Sequence, residues 1–200
     1  MAANVSLTKH YWALEEYFAL EKGGDRRYEY WDGEIVCMSG GSREHGTIAA
    51  NLHWLVYGTL VGKGCVAYTE GQAVKANVTA SGYVYPDVSA ACSPIFERHE
   101  ERGIDMLTNP ILIAEITSTD SGIRDHNRKR EAYQTIQTMC DYLIIEPDSV
   151  FVTHYLRATK GWKKRIYDNL EDDTIELVGI NRTLTIRDIY KGAGPAQSND

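Results

Sequence analysis

Tyr85-Pro86-Asp87, and after it Ile111-Leu112-Ile113-Ala114-Glu115-Ile116-Thr117, send two carboxylates out of otherwise apolar, strand-forming sequence. An acid inside a buried strand costs several kcal/mol unless it is paired, protonated or bound to a metal. Side chains alternate along a strand, so Glu115 and Thr117 share one face while Ile116 takes the other. Pro86 cannot donate to a ladder, which puts Asp87 at a strand start or beside a bulge, where its carboxylate emerges near a sheet opening. Two acids from neighbouring strands that meet at such an opening suit Mg²⁺, a hard cation that takes oxygen ligands, keeps several waters and needs only one or two protein carboxylates.

Around these strands the punctuation sets out the rest of the chain. Thr8 is the expected N-cap of a helix carrying Tyr11, Leu14, Phe18 and Leu20, stopped by Gly23-Gly24. Residues 27–31 and 34–38 flank Asp32-Gly33 and read as a β-hairpin with a two-residue turn, so Glu34 opens a strand. A helix from Arg43 to Val61 follows, with Ile48, Leu52, Leu55, Val56 and Leu60 on one stripe and His45 in its first turn. Strands are expected at Cys65 to Thr69, Gln72 to Ala76, Tyr83 to Ala91 and Ile111 to Thr117, and a charged loop with some helix from Pro94 to Asn109. A helix from Arg124 to Thr138 then leads to Tyr142-Leu143-Ile144-Ile145, an apolar run typical of a strand buried on both faces. That strand, helix and strand imply a crossover and a parallel pair. Val150 to Leu156 with Trp162 to Tyr167 reads as a hairpin, and Leu184 to Tyr190 as a short last element. The expectation is an α/β domain over residues 1–192 with a mixed central sheet flanked by helices, and a loose tail over 193–200.

Composition bounds the function. With 200 residues and 43% hydrophobic content the chain is long enough for one substantial core. Neither a secretory signal at Met1 to Ser6 nor an apolar run long enough to span a bilayer is evident, so a soluble, cytoplasmic chain is expected. Cys37, Cys65, Cys92 and Cys140 lie far apart with no CxxC, and are expected as buried free thiols. The formal charge of −7 argues against a protein that coats nucleic acid. Yet residues 121–167 hold nine basic side chains against five acids, either a solvated surface or a local phosphate-binding one.

Position 117, two residues after Glu115, is threonine where a lysine would help to orient water and screen negative charge. The following helix supplies Asp125, Lys129 and Tyr133, four apart and so stacked on one face. If that helix lies over the strand of Glu115, Lys129 reaches the carboxylates from above. Glu34, His45 and Gln72 are further candidates for the same opening. Their ordinary readings are a solvated strand-end acid, an incidental first-turn histidine and a strand amide.

Tyr85-Pro86-Asp87, residues 113–118, Asp125-x-x-x-Lys129-x-x-x-Tyr133 and Asp141 to Pro147 together resemble the Uma-two family of endonucleases, as do residues 32–36 and His45 upstream and residues 184–190 downstream. That family is placed in the PD-(D/E)XK superfamily, so the resemblance implies a restriction-endonuclease-like fold and a DNA substrate. It also implies Asp87 and Glu115 as ligands of Mg²⁺ or Mn²⁺, and Lys129 as a catalytic lysine moved from the strand to the helix, with Thr117 in the place it left. Cutting both strands of a duplex calls for two sites, which suits a homodimer. Two other readings stay open: a nuclease fold that only binds, favoured by the acidic balance and by Thr117, and a metal-dependent hydrolase of small phosphate esters.

Overall fold

The computed structural model describes residues 11–23, 26–38, 40–76, 82–99, 104–117 and 123–194. The expected N-cap Thr8, the tail from residue 195 and the side chains of Arg124 and Asp125 lie outside the described residues.

After α1 (Leu14–Gly23), β1 (Tyr28–Trp31) and β2 (Glu34–Cys37) form the expected hairpin in register Trp31↔Glu34. Asp32 and Gly33 both take positive φ, at 45° and 92°, the left-handed pair that a tight two-residue turn demands. Gly33 is also pressed by the ring of Tyr11, which leaves no room for a Cβ. Next, α2 (Arg43–Leu60) starts at Ser42, whose hydroxyl accepts the His45 N–H at 3.2 Å. This N-cap stabilises the helix start by about 1 kcal/mol. Ile48, Leu52, Val56 and Leu60 form its buried stripe.

The strands that follow are β3 (Cys65–Thr69), β4 (Ala73–Lys75), β5 (Gly82–Val84), β6 (Val88–Cys92), β7 (Phe96–His99), β8 (Ile104–Leu107) and β9 (Leu112–Ile116). Beyond α3 (Ile123–Thr135) come β10 (Asp141–Ile145), β11 (Val152–Arg157), β12 (Trp162–Tyr167), the hairpin β13 (Thr174–Leu177) and β14 (Arg182–Thr185), and α4 (Ile186–Tyr190). The expected mixed sheet has the order β12-β11-β10-β9-β6-β3, with β9 and β10 parallel on either side of α3 in the chain. A second six-stranded sheet, β2-β1-β5-β4-β8-β7, holds the N-terminal hairpin.

Several expectations are corrected. The run Tyr83 to Ala91 is two strands in two different sheets, broken at Tyr85-Pro86-Asp87, where proline ends the ladder. The segment from Pro94 to Asn109 holds no helix among its described residues; β7 and β8 pair there, and the charges of β7 fit a strand at a sheet edge. Cys65 and Cys92 are not free thiols: antiparallel register sets them opposite each other and they form a disulfide, while Cys37 and Cys140 stay free. The last element is the end of a strand running into a helix.

One face of the large sheet, with Val88, Ala90, Leu112, Ala114 and Ile116, packs on α2, α4 and the last hairpin. Its other face, with Ala91, Ile113, Tyr142 and Ile144, packs on Ala132, Tyr133 and Ile136 around α3 and on Trp31, Val74, Val84 and Leu107 of the second sheet. Helix α1 covers the far side of that second sheet through Tyr17 and Phe18. Among the described residues no helix is long and apolar enough to cross a membrane.

Candidate active site

The seam between the two sheets contains the acids. Strands β6 and β9 run antiparallel with Val88 opposite Ala114, and one more residue in that register sets Asp87 opposite Glu115. Along β9, Ala114 and Ile116 face α2, so alternation turns Glu115 toward α3 and its side chain is buried. Asp87 stands one residue before β6, freed from the ladder by Pro86. Its Oδ2 accepts the Ile116 N–H at 2.6 Å, and its Oδ1 lies 3.0 Å from His45 Nε2. Asp87 is thereby tied to the strand that carries Glu115 and to the first turn of α2.

Helix α3 lies over β9, and Lys129 reaches the acids from above. Its Nζ donates to Glu29 Oε1 at 2.9 Å and stands 3.3 Å from both oxygens of Glu115. One helical turn on, the Tyr133 hydroxyl donates to Glu115 Oε1 at 2.8 Å. Burial pushes the Glu115 carboxyl up to about 8, with the Lys129 ammonium pulling it down and the negative charges of Glu29 and Asp87 pushing it further up. The hydrogen bond to Asp87 raises His45 above the ordinary histidine value, against the opposing effect of its burial.

Asp87, Glu115, Lys129, Glu34, His45 and Thr117 all line one cavity of about 1190 Å³. Glu34 lies at its rim, exposed and paired with Arg128 at 2.7 Å. Thr117 keeps the ladder going, its N–H donating to the Ile145 carbonyl at 2.9 Å. Gln72 is not brought to this opening: its amide donates to the carbonyls of Ala73 and Asp105, tying β4 to β8. Glu29 belongs to the cluster and was missed in the sequence. It sits in Tyr28-Glu29-Tyr30-Trp31, where an acid among aromatic residues was the same signal that singled out Glu115.

The donor set fits a hard divalent cation. Three carboxylates, of Glu29, Asp87 and Glu115, face one ammonium and one imidazole, which leaves the cluster short of positive charge. Among the described residues no group of three or more His, Cys, Asp or Glu is placed to hold a metal; a hard cation that keeps several waters needs only one or two protein carboxylates.

Basic side chains gather on the α3 side of the large sheet. Arg128 stacks over Trp31 at 4.9 Å, and Arg130 and Lys164 both approach the ring of Tyr155, at 5.5 and 6.0 Å. Because β12 alternates, Arg165 faces the other way, toward Glu176.

Comparison with known proteins places the chain. Residues 14–187 match the model of the Uma2 family, described as "Putative restriction endonuclease". The uncharacterized protein slr1290 of Synechocystis sp. is 29% identical over 179 residues, 89% of this chain and 90% of that protein. A second from the same organism, sll1609, is 30% identical over 144 residues, 72% and 79% of the two chains. The crystal structure of a "putative nuclease belonging to DUF820" from Anabaena variabilis superimposes with a TM-score of 0.70 at 18% identity, covering 88% of this chain and 96% of that one, which shows a shared fold. With the match running from α1 into α4, this chain belongs to the Uma2 family, and its fold is restriction-endonuclease-like.

Proposed function

We propose that the chain is a Mg²⁺- or Mn²⁺-dependent endonuclease that hydrolyses DNA phosphodiesters in this cavity. The observation that carries the reading is the convergence of Asp87, just before β6, with Glu115 of β9 and Lys129 of α3 on one opening. Asp87 and Glu115 would hold the cation. When bound, the cation supplies charge neutralisation at the phosphodiester and activation of water.

The protein's own groups prepare that site. Tyr133 and Lys129 fix the orientation of the Glu115 carboxylate, and the Ile116 N–H and His45 fix that of Asp87. Lys129 places an ammonium beside both oxygens of Glu115, where it can orient water and offset negative charge that develops on the phosphate. Charge compensation in a largely buried seam is worth more than the same contact in water. The basic groups on the α3 side, the face toward which Glu115 points, support a nucleic-acid substrate over a module that merely keeps the fold.

The test is cleavage of plasmid and single-stranded DNA by purified protein with Mg²⁺, Mn²⁺ or EDTA, beside the Glu115→Gln variant. Cleavage that needs the cation and vanishes in the variant supports the reading. Equal cleavage by both proteins reveals a contaminant, and none by either favours the binding module.

A further inference from the structure

The cavity does not stop at the acids; it runs on along α2. Gly46, Ala49, Ala50, His53, Trp54 and Tyr57 line it and recur at i, i+3, i+4, i+7, i+8 and i+11, one continuous stripe of a helix. That stripe is separate from the buried one of Ile48, Leu52 and Val56. Its small residues lie next to His45, and so to the acids, while its aromatic residues lie at the far end. Trp54 is 69% exposed and Tyr57 47% exposed, so core packing does not account for them. His53 and Tyr57 stack with ring centroids 6.1 Å apart and planes 20° apart. From His45 to Tyr57 the helix rises about 18 Å, the length of about five stacked bases at roughly 3.4 Å each.

Charge selects the occupant. Lys129 is the one lysine or arginine among the described lining residues, against Glu29, Glu34, Glu70, Asp87 and Glu115. A duplex laid along this wall would press two phosphate backbones against acids. A single strand can turn its bases onto the helix and its phosphates outward, and base–aromatic stacking tolerates any sequence.

We propose that this stripe of α2 is a base-stacking platform that guides an unpaired nucleic-acid strand into the acid cluster, making single strands or frayed duplex ends the preferred substrate. This rests on the nuclease reading of the cluster. Trp54 and Tyr57 are binding groups in it, and the small residues leave the strand room to approach His45 and Asp87.

The experiment measures binding in EDTA, where cleavage plays no part, by fluorescence anisotropy of a labelled twelve-nucleotide oligo-dT and of a blunt duplex of the same length. The full chain should bind the single strand more tightly and show quenched tryptophan emission. Trp54→Ala with Tyr57→Ala should weaken that binding at least about tenfold at an unchanged melting temperature. Trp54→Phe, which keeps a ring, should retain most of the affinity and lose the quench. Single-strand affinity unchanged in the double variant, or tighter binding of the duplex by wild type, overturns the platform even where plasmid cleavage stands. A wild type that neither binds nor cleaves any nucleic acid overturns the nuclease reading together with it. A wild-type dimer that the double variant converts to a monomer in sedimentation identifies the stripe as a contact between copies and also overturns the platform.

Discussion

Glu115 and Asp141 are both buried acids, on the neighbouring parallel strands β9 and β10, yet their surroundings are opposite. Asp141 opens β10 and is closed off by donors: His154 Nε2 at 2.8 Å, and the N–H groups of Val178 and Gly179 at 3.1 and 2.6 Å. Gly179 eases that approach, since a Cβ there would crowd Asp141 Oδ2 and the Ile111 carbonyl, each at 3.1 Å. Glu115 lies at the other end of the pair, beside two further acids, with a single ammonium and one hydroxyl as donors and a cavity in front of it. A buried acid saturated by peptide donors secures a turn. One held among like charges at an opening is poised for a ligand.

The sharpest way to break this contrast is to neutralise each acid. Glu115→Gln and Asp87→Asn should each lower divalent-dependent cleavage by at least about 10³-fold, several kcal/mol of transition-state stabilisation, and Glu115→Gln should leave the melting temperature level or raise it, because burial disfavours the charged carboxylate that it removes. Measured cleavage rates and thermal melts check both halves, and a large stability loss in Glu115→Gln would turn Glu115 into a second Asp141. Asp141→Asn should instead cost about 3 kcal/mol of stability in urea unfolding, because its amide N–H would meet the N–H groups or the histidine that Asp141 now satisfies. Whatever folded fraction remains should keep its specific activity.

Lys129 comes next. Lys129→Met should slow cleavage on the order of 10²-fold, with divalent binding by calorimetry largely retained. Full activity would reduce Lys129 to a structural partner of Glu29. Restoration of a Lys129→Met enzyme by Thr117→Lys would show that the ammonium can serve from either element.

Unit for unit, the smallest effect is that of pH on stability. In metal-free protein, Glu115 titrates at about 8 when folded and in the ordinary carboxylate range when unfolded. Between those values the folded state holds a proton that the unfolded chain has released, so stability should fall as pH rises, by at most about 1.4 kcal/mol per unit. His45, also raised when folded, adds to the same trend: its contribution is fully present below the unfolded histidine value and is lost as pH rises through the folded one. Urea midpoints from pH 5 to 9 should show the decline, and Glu115→Gln should flatten most of it. A slope unchanged in that variant would place the titration elsewhere.

Patterns local to the chain were legible in the sequence. The turn at Asp32-Gly33, the stripe of Ile48, Leu52 and Val56, and the parallel pair around α3 follow from backbone sterics and hydrophobic periodicity, which act over a few residues. Likewise, alternation along β9 and four-residue spacing on α3 were enough to expect Glu115 beneath Lys129. Contacts between elements distant in the chain were not legible. Cys65 meets Cys92, Glu29 meets Lys129, and the run from Tyr83 to Ala91 divides between two sheets only once the strands have chosen partners. Strand pairing is decided by which faces the whole fold must bury, a condition that the residues on either side of Pro86 do not contain. Tertiary structure also separated Asp141 from Glu115: one precedes an apolar run and the other interrupts one, and the turn at Val178 and Gly179 on one side and the cavity on the other tell them apart.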